Sequence, residues 1–483
     1  MSNLIYRTAT ELAMLIREKK ASAVEVLDAH LAQIHRHNDK LNAIATLDEE
    51  NARKRASEAD AALAKGEIWG PLHGVPITIK DVFETAGLRT TSSFKPLKDY
   101  IPKDDATVVS RLKEAGAIII GKTNMPMLAL DIQSDSPIFG RANNPWDLAH
   151  TPGGSTGGGA ASLAAGFSSL EIGSDIGGSV RIPAHFCGIY SIKPTDHLVS
   201  LAGHIPEPPG APKGVRHMGM PGPLARSVED LRLALTLIAG PDGRRWEAPP
   251  VNLKAVAPKP LNEYRIAWTD SFGKISASQD TRAALEKLAT DLADAGCRVE
   301  KTSPPNFDFE LAWRSYGEIA GAEIGSGMDA IPRLLIRLQF SMLQDPSPLK
   351  KGYVSGFGLK MTRYADALTK RDTLISQLEN FLSQWDAWLC PVTVGTAFKH
   401  GKMGLPIEVD GTKVPYFSAN MSYTSIFNLT GNSVVVLPIG QSKEGLPIGV
   451  QVVGRRWGDM ALLALAESLT EVTDGFQRPP AFR

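Results

Sequence analysis

Cysteine is scarce in this chain: three in 483 residues, Cys187, Cys297 and Cys390, an odd number with no CxxC spacing. That scarcity argues against a disulfide framework and against a zinc site, and it fits reduced thiols in a cytoplasmic protein. An excess of charge of either sign is missing too, since 52 Lys and Arg meet 52 Asp and Glu. Without a basic surplus or a clustered Lys/Arg face there is no footprint for nucleic acid, so the expected partner is a small molecule. Long apolar runs are absent: the longest candidates are short strands such as Val434-Val435-Val436-Leu437, far below the roughly 18 residues of a membrane span. The opening MSNLIYRTATELAMLIREKK carries neither the apolar core nor the small-residue cleavage pattern of a signal peptide, so export is not expected. There is no internal repeat.

What the chain does have is an alternation of short strands and helices. Thr8-x-x-Glu11 and Ser22-x-x-Glu25 are capping-box signatures, and Val24, Leu27, Leu31 and Ile34 recur three or four apart. Helices are therefore expected from residue 8 to about 65. From Val75 onward, β-branched runs (Val75 to Ile79, Ile118 to Ile120) alternate with helical periods (Val108 to Ala115), as in an α/β fold. Pro and Gly crowd residues 205–222 and 242–260, which read as long surface connections that border a pocket. Arg265 to Trp268 reads as a strand. Leu285, Leu288 and Leu292 stripe the following helix, Gly296 follows its end, and a strand returns near Val299. Residues 305–365 read mostly as helix, and Ser433 to Leu437 and Ile448 to Val453 as buried strands.

The chemistry is concentrated between Lys80 and Ser179. A Lys-Asp closes the apolar run Val75-Pro76-Ile77-Thr78-Ile79; Gly153-Gly154-Ser155-Thr156-Gly157-Gly158-Gly159 follows, and then Gly173-Ser174-Asp175-Ile176-Gly177-Gly178-Ser179. A serine hydroxyl needs a base held against it, and its attack needs N–H groups waiting for the oxyanion; glycine turns can supply those N–H groups. No lysine follows the first glycines, which sets a phosphate-binding P-loop aside. Gly153-Gly154-Ser155-Thr156-Gly157 matches the GxSxG elbow of α/β-hydrolases, but Pro145 and Pro152 precede it where that elbow needs a buried strand. A Gly/Ser tract is also an ordinary flexible linker. Here Ala160 to Ala165 continues as a small-residue helix, so the tract is expected to pack. Taken alone, Ser179 would be an ordinary glycine turn and Lys80 a surface lysine. At the end of an apolar strand, however, the ammonium can be buried and its pKa lowered, leaving a neutral amine as base.

These residues make the chain resemble the amidase signature family of serine hydrolases. The spacings from Lys80 to Ser155 (75) and from Ser155 to Ser179 (24) agree with that family's Ser-cisSer-Lys arrangement. The likeness extends over Gly74-Val75-Pro76, Gly121-Lys122-Thr123-Asn124, Asn144-Pro145-Trp146, Gly153 to Pro194, Gly222-Pro223-Leu224-Ala225-Arg226-Ser227 and Leu446-Pro447-Ile448-Gly449-Val450-Gln451, while about 230–385 matches mainly in layout. The resemblance implies one large twisted mixed β-sheet covered by helices on both faces, in a single domain over 1–483. That domain comprises a helical N-terminal cover (1–70), a signature core (71–230), a variable pocket region (231–385) and a C-terminal return of the sheet (386–483). It further implies Ser179 as nucleophile on an amide carbonyl. Ser155, after a cis bond from Gly154, would relay the proton to neutral Lys80, and Ile176, Gly177, Gly178 and Ser179 would furnish the oxyanion amides. Asp175 and Arg181 would brace the loop. No metal or organic cofactor is implied.

Other candidates are weaker. His185 and His197 lie near Ser179 in sequence and read as structural or solvated rather than as a triad base. Asp131, Gln133 and Asp135 are candidates to line a pocket, and Cys187 reads as core. For the substrate, the glutamine-hydrolysing component of tRNA amidotransferase is the nearest rival within the family. Those glutaminases carry an acid that reads the glutamine amine before the C-terminal Asn-Leu-x-Gly; aligned on Asn428-Leu429-Thr430-Gly431, this chain has Met421 there. It also has Met127 where family members often carry an acid. Both departures point to a hydrophobic acyl or aryl amide. The apolar segment 331–343 reads as a core-facing or dimer-facing helix, with membrane contact, as in the related fatty acid amide hydrolases, as the other reading. Outside this class stand an esterase with Ser155 as nucleophile and a catalytically silent homologue.

Overall fold

Apolar runs without polar alternation require cover on both faces, and the computed structural model, which describes residues 4–205, 214–251 and 253–482, places them inside an 11-stranded sheet. Its strands are β1 (Ile44–Leu47), β2 (Pro76–Lys80), β3 (Ile118–Thr123), β4 (Leu170–Asp175), β5 (Tyr190–Lys193) and β6 (Met220–Ala225), followed by β7 (Arg265–Trp268), β8 (Arg298–Lys301), β9 (Ala387–Pro391), β10 (Val434–Gln441) and β11 (Pro447–Val453). They lie in the order β1-β3-β2-β4-β6-β5-β10-β11-β9-β7-β8. β2 is parallel to both β3 and β4, and β7 to both β8 and β9, while β4, β6, β5, β10, β11 and β9 pair antiparallel in turn. The sheet is thus mixed.

Fifteen α-helices among the described residues surround it: α1 (Ala9–Arg17), α2 (Ala23–Leu41), α3 (Glu49–Ala64), α4 (Thr107–Glu114), α5 (Gly157–Ala164), α6 (Arg181–Cys187), α7 (Val228–Ile238) and α8 (Gln279–Asp294), then α9 (Phe309–Ser326), α10 (Ala330–Met342), α11 (Pro348–Gly356), α12 (Met361–Leu382), α13 (Tyr416–Met421), α14 (Ser425–Thr430) and α15 (Asp459–Leu469). Both predicted capping boxes form. Thr8 and Ser22 accept from the amides of Glu11 and Glu25, whose carboxylates accept in return from the amides of Thr8 and Ser22.

The period of two along each strand sorts the core into two layers. Ile77, Ile79, Ile172, Val435 and Leu437 pack with α1, α2, α4, α7 and α15 on one face. Leu224, Trp388, Cys390, Val434 and Val436 pack with α5, α6, α9, α12 and α14 on the other. Lys80 and Thr78 alternate with Ile77 and Ile79, so they point to the second face, and the chemistry is built there.

Two expectations need correction. The Pro/Gly-rich stretch 205–222, read as a surface connection, ends in a buried strand, because Met220 to Ala225 sits between β4 and β5; residues 206–213 lie outside the described residues. Pro221 and Pro223 are tolerated because residues two apart direct their N–H groups to the same edge, so one ladder keeps all its donors. The segment 331–343 lies almost wholly in α10, which turns only one edge, Ile336 and Phe340, to the core. Only Phe340 is buried in it, and Ile331, Leu334, Leu335, Leu338 and Met342 are exposed along one helical face. No helix among the described residues is long and apolar enough to cross a membrane.

Candidate active site

Lys80 ends β2 with its side chain wholly buried. Its Nζ is hydrogen-bonded to Ser155 Oγ at 2.7 Å and lies 3.2 Å from Ser174 Oγ and 3.4 Å from Ser174 O. A neutral amine has two N–H groups and one lone pair. The two Ser174 oxygens can take both N–H groups, which leaves the lone pair for the Ser155 hydroxyl. Burial lowers the Lys80 pKa to about 7, against the opposing pull of Asp175 and Glu171.

Ser155 is also fully buried, in a loop whose Gly154–Ser155 peptide bond is cis. This tract is no linker, because its glycines are pressed against other backbones. A Cβ on Gly154 would lie 2.6 Å from the carbonyl carbon of Ile132, and one on Gly158 would lie 2.5 Å from both N and O of Asn124. Gly158→Ala is accordingly expected to cost about 1–3 kcal/mol through forced backbone movement, read as a lower melting temperature; an unchanged one would show that the loop has slack. No strand leads into Ser155, so the elbow context of α/β-hydrolases is missing.

The second loop is pinned to the first, with the Thr156 amide donating to Ser179 O at 3.2 Å, and Ser179 itself is partly exposed. Asp175 accepts from the amides of Gly178 (2.8 Å) and Val180 (3.1 Å), from Arg181 Nη2 (2.9 Å) and Nε (3.1 Å), and from Asn428 Nδ2 (2.9 Å). Burial alone would raise its carboxyl, but the Arg181 guanidinium and these donors outweigh it and hold the group well below the carboxylate range. Arg181 in turn donates to Thr424 O (3.0 Å), Gln451 Oε1 (2.7 Å) and Asn428 Oδ1 (2.5 Å). The pair therefore anchors the loop to α14 and β11. Because the Gly178 amide is spent on Asp175, the four-amide oxyanion expectation narrows to Ile176, Gly177 and Ser179.

Several partners escaped the sequence reading. Tyr316 Oη donates to Ile176 O (2.8 Å) and Thr424 Oγ1 to Gly177 O (2.7 Å), orienting the peptide planes of the glycine turn. No local signal marks them, since they lie 140 and 247 residues away along the chain. Ser174, inside the quoted motif, was legible but unread. The pocket candidates separate: Asp131 accepts from Tyr416 Oη (2.6 Å) and Gln133 donates to Gly401 O (3.0 Å), whereas Asp135 is exposed beside Arg141. The 131–133 segment lies against Gly154. Met421 reaches the opposite loop, its Cε 2.5 Å from where a Gly177 Cβ would stand. Met127 is exposed. His185 is buried between Gly395 O and the Gly449 amide, with its pKa lowered by burial to about 4, and His197 lies beside Asp196. Cys187 is buried, its thiol pushed up by burial. Among the described residues no group of three or more His, Cys, Asp or Glu is placed to hold a metal ion.

The family described as Amidase matches residues 25–463. A glutamyl-tRNA(Gln) amidotransferase subunit of Heliobacterium modesticaldum is 32% identical over 99% of both chains. Among solved structures, an amidase superposes with a TM-score of 0.81 at 29% identity, covering 97% of this chain and 100% of that one. A 6-aminohexanoate cyclic dimer hydrolase bound to its substrate does so with a TM-score of 0.82 at 26% identity, covering 99% and 100%.

Proposed function

The chain belongs to the amidase family, and from that premise we propose that it hydrolyses a carboxylic acid amide to the acid and ammonia or an amine through an acyl-Ser179 intermediate. The observation that carries the mechanism is the buried Lys80–Ser155 hydrogen bond at 2.7 Å, on a loop tied to the backbone of Ser179. Ser179 Oγ attacks the carbonyl carbon while its proton passes to Ser155, and the Ser155 proton passes to Lys80. The oxyanion is met by the amides of Ile176, Gly177 and Ser179. Collapse breaks the C–N bond as Lys80 returns a proton through Ser155 to the leaving nitrogen. Water then repeats the relay on the acyl ester and frees Ser179.

A base that must be neutral fixes the sign of the pH dependence. Above about 7 Lys80 is free to accept a proton; as the pH falls through that value it is protonated and kcat/KM declines, about tenfold per unit. A steady-state profile from pH 5 to 9 checks this, and a flat profile across pH 6 to 8 would remove Lys80 as the base.

For the substrate we favour a hydrophobic acyl or aryl amide. In support, Met421 lies over Gly177 where the amidotransferase resemblance implies an acid, and rings run in contact from Tyr316 through Tyr353, Phe340 and Phe417 to Tyr416. Glutamine hydrolysis within an amidotransferase is the second reading, favoured by full-length likeness to the Heliobacterium protein. A fluorophosphonate probe with peptide mapping, followed by a panel of aryl amides, aliphatic amides and glutamine, separates them. Label on Ser179 and turnover of the apolar amides support the proposal. Turnover of glutamine alone selects the second reading, and label on Ser155 overturns the mechanism.

A further inference from the structure

The proton relay leaves one buried acid unused. Glu171 is opposite Thr78 in the β2–β4 ladder, which puts it on the same face as Lys80, two residues further along β2. It is fully buried, inside the run Leu170-Glu171-Ile172 whose neighbours are apolar. The fold has made room for it: a Cβ on Gly159 of α5 would stand 2.5 Å from the Glu171 carboxyl carbon and 2.6 Å from Oε1. Thr123 Oγ1 donates to Oε1 at 2.7 Å. Oε2 is buried without a hydrogen bond within normal distance, and Thr78 Oγ1, opposite it in the ladder, pairs with Ser168 Oγ at 2.8 Å while still lowering the carboxyl's proton affinity. A dry, half-satisfied carboxylate is costly unless a cation or a proton compensates it.

We propose that Glu171 is a positioning residue for Lys80: its buried carboxyl, on the same face of the sheet, is the charge against which the lysine ammonium forms, and so sets how readily the lysine accepts the proton released by Ser179. The inference rests on the reading of Lys80 as the base. When Lys80 becomes an ammonium during attack, the Glu171 carboxylate supplies the compensating charge from the neighbouring strand. When the proton returns to the leaving nitrogen, the pair is restored, with no net change at Glu171. The charged groups facing Glu171 are Lys80 from β2 and Lys122 from β3, with the hydroxyls of Thr78 and Thr123 beside them; Asp175, on its own strand, also raises the proton affinity of Lys80 but is paired with Arg181. Lys122 is committed elsewhere, to Phe83 O and Thr85 Oγ1. Burial raises the Glu171 carboxyl to about 7, against the lowering pull of the Thr78 and Thr123 hydroxyls and of Lys80 and Lys122.

Glu171→Gln keeps the shape and the acceptor for Thr123 while removing the titrating group. Without the anion the lysine is a weaker base, so the acidic limb of kcat/KM should move down by about one pH unit and the plateau should fall about tenfold. A carboxyl that only fills space would lower the plateau and leave the limb in place. Thr123→Val, which withdraws the donor from Glu171, makes the carboxylate harder to form and should move the limb the same way by less; it decides the matter if Glu171→Gln does not fold. Lys80→Met is measured alongside. If it is inactive and neither limb moves, the Glu171 proposal is overturned and the base reading stands. If it retains full hydrolysis, the base reading falls, and the proposal with it.

Discussion

Ser179→Ala should lower amide hydrolysis by about 10⁴- to 10⁶-fold while leaving the fold intact. The hydroxyl is the only group at this position that can form the acyl bond, and the reaction has no second route once it is gone. The Ser179 side chain is partly exposed, and the connection of its loop to the rest of the site runs through backbone and through Asp175, so removing one oxygen takes away no core contact. The melting temperature should therefore match the parent, and fluorophosphonate labelling should vanish. Hydrolysis by Ser179→Ala at near the parental rate would end the acyl-serine mechanism, and retained labelling would move the nucleophile to another residue.

The second large effect is expected at Lys80. Lys80→Ala should reduce turnover by about 10³- to 10⁵-fold, and Ser155→Ala by a comparable factor, because members of a relay fail as a unit and their losses do not add. The lysine variant has a structural cost that the Ser179 variant lacks. It opens a cavity under the glycine loop and strips a partner from Ser155 and the Ser174 oxygens, so a loss of stability on the order of 2–5 kcal/mol is expected. Lys80→Met fills the space with a side chain that cannot take a proton, and comparison of the two isolates the chemistry from the cavity. A double variant Lys80→Met/Ser155→Ala that is no slower than either single one would show a single relay, measured as kcat on the best amide of the panel. Losses that multiply would mean two independent roles.

The elements were legible where the chain speaks to its near neighbours. Capping boxes at Thr8 and Ser22, the β-branched runs at 76–80 and 118–123, the helix ended by Gly296 and the strands at 434–441 and 447–453 each depend on residues within about one turn or one ladder step. Lys80, Ser155 and Ser179 were named through the family resemblance that their motifs and spacing carry, and the fold brings Lys80 to Ser155 and the Ser155 loop to the backbone of Ser179. What was missed has a common cause. Residues 205–222 read as a surface connection because prolines and glycines are judged singly, whereas the spacing of two between Pro221 and Pro223 spares one edge of the strand Met220 to Ala225. The α10 segment reads as core-facing or dimer-facing, because its apolar stripe says only that one side is uniform, not what lies opposite.

Sequence alone determined the fold class and most of the strands and helices, since these depend on local periodicity, and it nominated Lys80, Ser155 and Ser179 through the family resemblance that their motifs carry. Tertiary structure decided the rest. It placed Tyr316, Thr424, Asn428 and Gln451 about the turn that holds Ser179, engaged the Gly178 amide with Asp175, left one apolar face of α10 exposed, and put Glu171 on the Lys80 face beneath Gly159. The physical reason is that proton affinity and hydrogen-bond direction are set by burial and by whichever charges stand within a few ångströms. In a sheet ordered β2-β4-β6-β5, those neighbours come from segments separated by tens to hundreds of residues, and no local pattern records which of them will meet.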